Sequence, residues 1–207
     1  PLIEYAARTG KPLIISTGMG TCSEIEAAVE EAKSGGCREL VLLKCTSAYP
    51  SPPEEMNLRT IPDLAGRFSC PVGLSDHSRG LEVPLGGIAL GACMLEKHLT
   101  LEAGQGIDSG FSLNPSEFKQ TVEAVRRLEE SLGKPVYGPT PSEQESLKFR
   151  RSLWIVRPVE AGEKITAENV RSIRAPGGLA PSRWPEVAGK RFKKSCSGPM
   201  PLREESL

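Results

Sequence analysis

Aromatic side chains, histidines and any surplus of charge are scarce in this sequence. Aromatics make up 5% of its 207 residues, there are 2 histidines, and 26 Lys and Arg balance 26 Asp and Glu. Balanced charge removes the electrostatic argument for nucleic acid or an anionic membrane as partner, and neither is expected. No apolar run approaches the roughly 20 residues a membrane-spanning helix needs, and no stretch has the order of a secretory signal. The cysteines (Cys22, Cys37, Cys45, Cys70, Cys93 and Cys196) lack CxxC spacing, which argues against a zinc or disulfide framework. Several fall in apolar strand or helix patterns and are expected to be reduced, buried thiols. The expectation is a soluble, cytoplasmic protein. The chain starts at Pro1 rather than Met, and Leu2 to Arg8 reads as a helix tail closed by Gly10, so an earlier segment is expected.

What is present is a rhythm of apolar strands and amphipathic helices. Pro12 to Ser16 reads as a strand, followed by a helix that Ser23 can cap, with Ile25, Ala28, Val29 and Ala32 on its inner face. Leu40 to Cys45 is the next strand, a proline-rich loop follows, and Ile61 to Phe68 is helical. Val72 to Leu74 and then Met94 and Leu95 read as buried parallel strands around a small-residue crossover helix from Gly80 to Ala92. A last helix spans Pro115 to Leu132, with Asn114 as cap, Glu117 completing a capping box, and Phe118, Val122, Val125 and Leu128 as its inner stripe. Four units of about thirty residues suit either half a (β/α)8 barrel or a small doubly wound sheet, and periodicity does not separate them. From Tyr137 to Arg151 the composition is that of a linker. Beyond it, short apolar pieces broken by Gly and Pro describe a small domain of turns and short strands, near the lower size limit for folding unaided.

The two histidines, His77 and His98, each follow one of the strand candidates that flank the crossover helix. Strands joined in this way bring their carboxyl ends to one rim of the sheet, where two imidazoles can share a metal ion. Ordinary structural histidines are the competing reading. Asp76 beside His77 and Glu96 before His98 favour a site, because imidazoles at metals usually have carboxylates behind them.

Six motifs occur in a fixed order: STGM (16–19), KCTSAYP (44–50), GLSDH (73–77), EKH (96–98), IDSGFSL (107–113) and RAPGGL (174–179). In this order the chain resembles the sialic acid synthase family along its whole length. The resemblance implies an α/β fold: the carboxyl-terminal half of a (β/α)8 TIM barrel (strands five to eight, residues 1–137), a linker (138–150), and an antifreeze-like SAF domain of β-clip type (151–207). It implies condensation of phosphoenolpyruvate with an acetamido-sugar to a nine-carbon 2-keto acid, with release of phosphate. It also implies that His77 and His98 hold a divalent metal, manganese or magnesium.

By the same resemblance Ser16, Ser47 and Ser75 offer donors to phosphoenolpyruvate, Tyr49 and Asp108 contact the sugar, and Asp108 assists proton transfer. Glu96 orients substrate or a metal-bound water, or is a structural acid. Arg174 reaches the sugar's acetamido group from a partner subunit, which implies a homodimer with exchanged SAF domains. Without the family position, each serine reads as a turn or cap residue, Tyr49 as packing under its loop, and Arg174 as a surface side chain. KCTSAYP and DSGFSL look more like the pseudaminic acid branch, with the N-acetylneuraminate and legionaminate branches as alternatives. A non-catalytic carbohydrate-binding module is the alternative of another class. Lys44, Lys97 and Arg79 receive no role. The catalytic acid and phosphate-binding lysines are expected in the preceding half, so the fragment alone is expected to be inactive.

Overall fold

Alternation along the strands decides which way each faces. Leu13 and Ile15, Leu40 and Leu42, Val72 and Leu74, and Leu95 all lie on one face, packed with Val29, Ala32, Ile61, Leu64, Phe68 and Val83 from the helices. The intervening residues, among them Ser16, Leu43, Cys45, Gly73 and Ser75, face the other way. The computed structural model describes residues 1–102, 104 and 106–207, which form two compact units, Pro1–Lys134 and Pro135–Leu207.

The first unit runs α1 (Leu2–Ala7), β1 (Leu13–Ser16), α2 (Cys22–Ser34), β2 (Leu40–Cys45), α3 (Thr60–Phe68), β3 (Val72–Asp76), α4 (Glu82–Ala89), β4 (Leu95–Lys97) and α5 (Pro115–Leu132). Its strands are parallel and lie in the order β1-β2-β3-β4. A doubly wound sheet would reverse its order at a switch point. This sheet does not, so it is a singly wound half-barrel. Among the described residues no helix is long and apolar enough to cross a membrane.

Several local expectations need correction. Thr21, not Ser23, caps α2, because it alone is placed to complete a capping box with Glu24. Helix α4 is confined to Glu82–Ala89, with Gly91 at a φ of 97° closing the turn after it. The inner stripe of α5 is rotated from the expected one: Thr121 and Ala124 are buried, whereas Val122 is 43% exposed. Small residues there let α5 approach α4, and the bulkier Val122 falls to the side. All six cysteines are free, but only Cys45 is buried, and Cys22 and Cys93 are exposed. Within the expected linker, 3-10 turns span Pro141–Phe149, opened by a capping box of Thr140 and Glu143.

In the second unit β5 (Ser152–Ile155) is central, with β6 (Val170–Ile173) and β7 (Met200–Pro201) antiparallel on its two sides. Isolated bridges Val159–Cys196 and Lys164–Arg191 extend the turns. A short helix, α6 (Trp184–Val187), adds Val187 to a core of Leu153, Ile155, Val159, Ile165, Val170, Phe192 and Leu202.

Gly73, mid-strand, is held by crowding. A Cβ there would lie 2.6 Å from Leu43 Cδ2 and 2.8 Å from the Met94 carbonyl oxygen. The backbone oxygen cannot move aside without opening the β3–β4 pairing. Gly73→Ala is expected to destabilise the full-length protein by about 1–3 kcal/mol, read as a fall in denaturant midpoint at constant slope.

Candidate functional site

Strand register assembles the site. Cys45 pairs with Ser75, and Ser75 with Glu96, in one row on the face away from the helices. Two residues further along each strand come Ser47, His77 and His98, at the carboxyl end and on the same face. The His77 and His98 ring centroids are 5.1 Å apart, with the rings nearly perpendicular.

The proline-rich loop after β2 is fastened to His77 on two sides. The His77 Nδ1 lies 3.0 Å from the Thr46 carbonyl oxygen, and the Ser51 N–H donates to the His77 carbonyl at 3.0 Å. The buried Ser51 hydroxyl bonds back to the carbonyls of Thr46 and Ala48, both at 2.8 Å. A carbonyl only accepts, so Nδ1 carries the proton, and of the two neutral tautomers the contact selects the one with its lone pair on Nε2. Metal-ligating histidines are commonly held in this way.

The fastened loop sets Tyr49 over the pair, its ring 4.4 Å from His77 and 6.0 Å from His98, while the side chain stays 54% exposed. Phe111 closes the cluster at 4.9 Å from His98 and 5.2 Å from Tyr49. The loop that carries Phe111 is clamped at its base, where the Leu113 N–H donates to the His98 carbonyl and the Thr100 N–H to that of Leu113. Its 3-10 turn (Ile107–Gly110) is held by Arg79 Nη2, which donates to the Gly110 carbonyl. This brings Asp108 Oδ2 to 3.6 Å from His98 Nδ1, too long for a hydrogen bond.

Of the other expected residues, Ser75 is buried and donates to Glu96 Oε1 at 2.7 Å. Ser47 sits beside the STGM turn: a Cβ on Gly18 would be 2.3 Å from its Oγ. Ser16 ends β1 on the same face, paired with Leu43 one row below. Arg174 belongs to the second unit, where it is exposed and its Nε donates to the Phe149 carbonyl. Glu96 does not support His98 as expected: its Oε1 accepts from Ser75, and no hydrogen bond joins it to His98 among the described residues. Asp76 does not support His77 either, because it points to the helix side, where Lys97 holds it at 2.7 Å. Phe111 and the Lys97–Asp76 pair were not singled out in sequence. For Phe111 a signal existed, as an aromatic in the loop after His98 of an aromatic-poor chain.

The donor set is therefore two imidazoles. Among the described residues no group of three or more His, Cys, Asp or Glu could hold a metal ion. Two imidazoles on one rim suit the nitrogen part of a divalent ion's donor set, with the remaining positions left to water or substrate.

The NeuB family model matches residues 1–137 and the SAF domain model residues 150–196. The chain belongs to the NeuB family. It is 40% identical to a pseudaminic acid synthase of Campylobacter jejuni subsp. jejuni serotype O:23/36, over 99% of this chain and 60% of that protein. It is 34% identical to an N,N'-diacetyllegionaminic acid synthase of Legionella pneumophila, over 100% of this chain and 60% of that one. Among solved structures, the N-acetylneuraminic acid (sialic acid) synthetase of Leptospira borgpetersenii serovar Hardjo-bovis aligns with a TM-score of 0.64 at 39% identity, covering 72% of this chain and 52% of that one. The chain spans 53% to 62% of the length of the first curated relatives it matches.

One cation under this NeuB site is anomalous. Lys44 is buried with no ion pair to a carboxylate among the described residues, and its Nζ donates to the Cys45 carbonyl at 2.8 Å and Thr46 Oγ1 at 2.9 Å. Burial pushes its pKa below the usual lysine range, partly opposed by the nearby Cys45 thiol. Between that depressed value and the ordinary one of about 10.4, the unfolded chain holds more protons than the folded chain. Stability attributable to Lys44 therefore rises with pH across that window. The stability difference between wild type and Lys44→Met, measured by denaturation at several alkaline pH values, is expected to shift in favour of wild type as pH rises.

Proposed function

We propose that this chain is the carboxyl-terminal part of a nonulosonic acid synthase of pseudaminic type. It joins phosphoenolpyruvate to an acetamido-sugar, forming a nine-carbon 2-keto acid and releasing phosphate. The observation that carries this reading is the pair of imidazoles 5.1 Å apart at one strand rim, roofed by Tyr49 and flanked by Asp108. Curated relatives named pseudaminic acid synthase support the branch. Relatives named legionaminic acid synthase keep that sugar as the second reading.

His77 and His98 would hold a divalent ion, manganese or magnesium, which supplies Lewis acidity for a carbonyl oxygen that gains charge. The chain's own residues do the rest by placement. C3 of phosphoenolpyruvate attacks the aldehyde carbon of the open-chain sugar, water adds at C2, and phosphate leaves. Ser16 and Ser47 donate toward the carboxylate and phosphate of phosphoenolpyruvate, while Ser75, whose one hydroxyl proton goes to Glu96, faces the substrate as an acceptor and through its backbone. Glu96, held by Ser75, orients the reacting water. Tyr49 and Phe111 cover the apolar face of the sugar and exclude solvent. Asp108, 60% exposed, accepts hydroxyl hydrogen bonds and takes up or returns a proton. The small domain of a second copy brings its arginine, at position 174, to the acetamido group, which makes the working unit a homodimer with exchanged SAF domains. A cytoplasmic location suits an enzyme that consumes phosphoenolpyruvate.

The test is phosphate release from phosphoenolpyruvate by the full-length protein with a panel of sugars. Turnover is expected with the diacetamido-trideoxy-altrose of the pseudaminic branch, and far less with N-acetylmannosamine. His77→Ala and His98→Ala are each expected to lower turnover by roughly two orders of magnitude or more. Sugar binding without phosphate release in the wild type would make it a binding module, and a preference for a bacillosamine-type sugar would favour the legionaminate reading.

A further inference from the structure

Beneath the two histidines lies an ion pair that the chemistry above does not use. The side chains of Lys97 and Asp76 are 1% and 0% exposed, with Nζ and Oδ2 2.7 Å apart. The same Nζ donates to the Ser78 carbonyl at 2.8 Å, and Asp76 Oδ1 accepts from the Ser78 N–H at 2.8 Å. The Ser78 hydroxyl has no hydrogen-bond partner among the described residues, so the pair engages its backbone alone. Asp76 and Lys97 face each other in register across β3 and β4. Each comes one residue before a histidine, and alternation directs both away from the imidazoles.

Stability alone is a poor reason for such a pair. Removing two charges from water costs several kcal/mol per ion, and apolar residues of similar volume often hold a core as well or better. Directional pairing is what it adds. Strand β4 has only three residues and three pairings with β3, and a single apolar pair, Leu74 with Leu95, marks its buried face. Register is weakly specified on so short a strand, and a slip of one residue would turn His98 to the opposite face. Lys97 reaches across to both Asp76 and Ser78, and so brackets the backbone of His77 from either side.

We infer that the Asp76–Lys97 pair is a positioning device, fixing the register of β4 against β3 so that the His77 and His98 rings meet. The consequence for cation binding rests on the reading that these histidines share a divalent ion. Neither residue touches the reacting groups.

The experiment uses the full-length protein with Asp76→Leu combined with Lys97→Leu, a change that removes both charges together and so orphans neither. Co²⁺ alone, titrated by its visible absorption, probes the cation. Histidine ring ¹H–¹⁵N correlations of the metal-free protein probe ring placement. The double variant is expected to fold with a denaturant midpoint below wild type, because the buried Ser78 N–H and carbonyl lose their partners, and to bind Co²⁺ about ten- to a hundredfold more weakly, change the absorption band, and shift both ring resonances. A folded double variant with unchanged ring resonances and wild-type Co²⁺ affinity would overturn the inference. Ring resonances that shift in a protein whose wild type binds no Co²⁺ would support positioning while removing the cation reading. Should the double variant not fold, Asp76→Asn, which keeps the shape and one acceptor, is read in the same way: shifted rings support the inference and unshifted rings overturn it.

Discussion

Parallel pairing between β2, β3 and β4 is the constraint on which the rest depends. Once Cys45, Ser75 and Glu96 share a row, the residues two places on must emerge at one rim and on one face, because the strand repeat is two. Two loops then need only be tied down locally. The first is held by Thr46 and Ser51 and the second by the Leu99–Leu113 bridge. The site is thus set by backbone hydrogen bonds, and its side chains inherit their positions.

Much of this was readable in the residues. Strand and helix positions follow from apolar spacing, and the start of α5 follows from Asn114, Pro115 and Glu117, whose capping box is formed as expected. The shared rim for His77 and His98 follows from the crossover rule. Singly wound and doubly wound sheets could not be told apart, because local periodicity carries no information about strand order. The stripe on α5 was misjudged at Val122 because the rule of spacing ranks residues by apolarity, whereas close helix approach selects the smaller Thr121 and Ala124. Asp76 was misjudged for a different reason. Adjacency in sequence suggested contact with His77, yet neighbours on a strand point to opposite faces, and the helix side offered Lys97 as partner.

The charges around this sheet divide by face. On the side of the imidazoles, Glu96 and Asp108 are exposed to solvent. On the helix side the side chains of Lys44, Lys97 and Asp76 are buried and bonded to backbone groups, to the Thr46 hydroxyl or to each other. Lysines at the rim of a phosphate-using site invite a substrate role. Here Lys44 and Lys97 act inward, the first on Thr46 and the second on Ser78, so each supports the segment next to His77.

The carbonyl of Thr46 has two lone pairs, and both are used, one by the His77 ring and one by the Ser51 hydroxyl. Since this acceptor belongs to the main chain, no exchange of side chain at position 46 can take it away. The tautomer of the imidazole is thereby insulated from exchange at that position, and the loop remains free to vary in the side chains it presents without disturbing the ring's anchor.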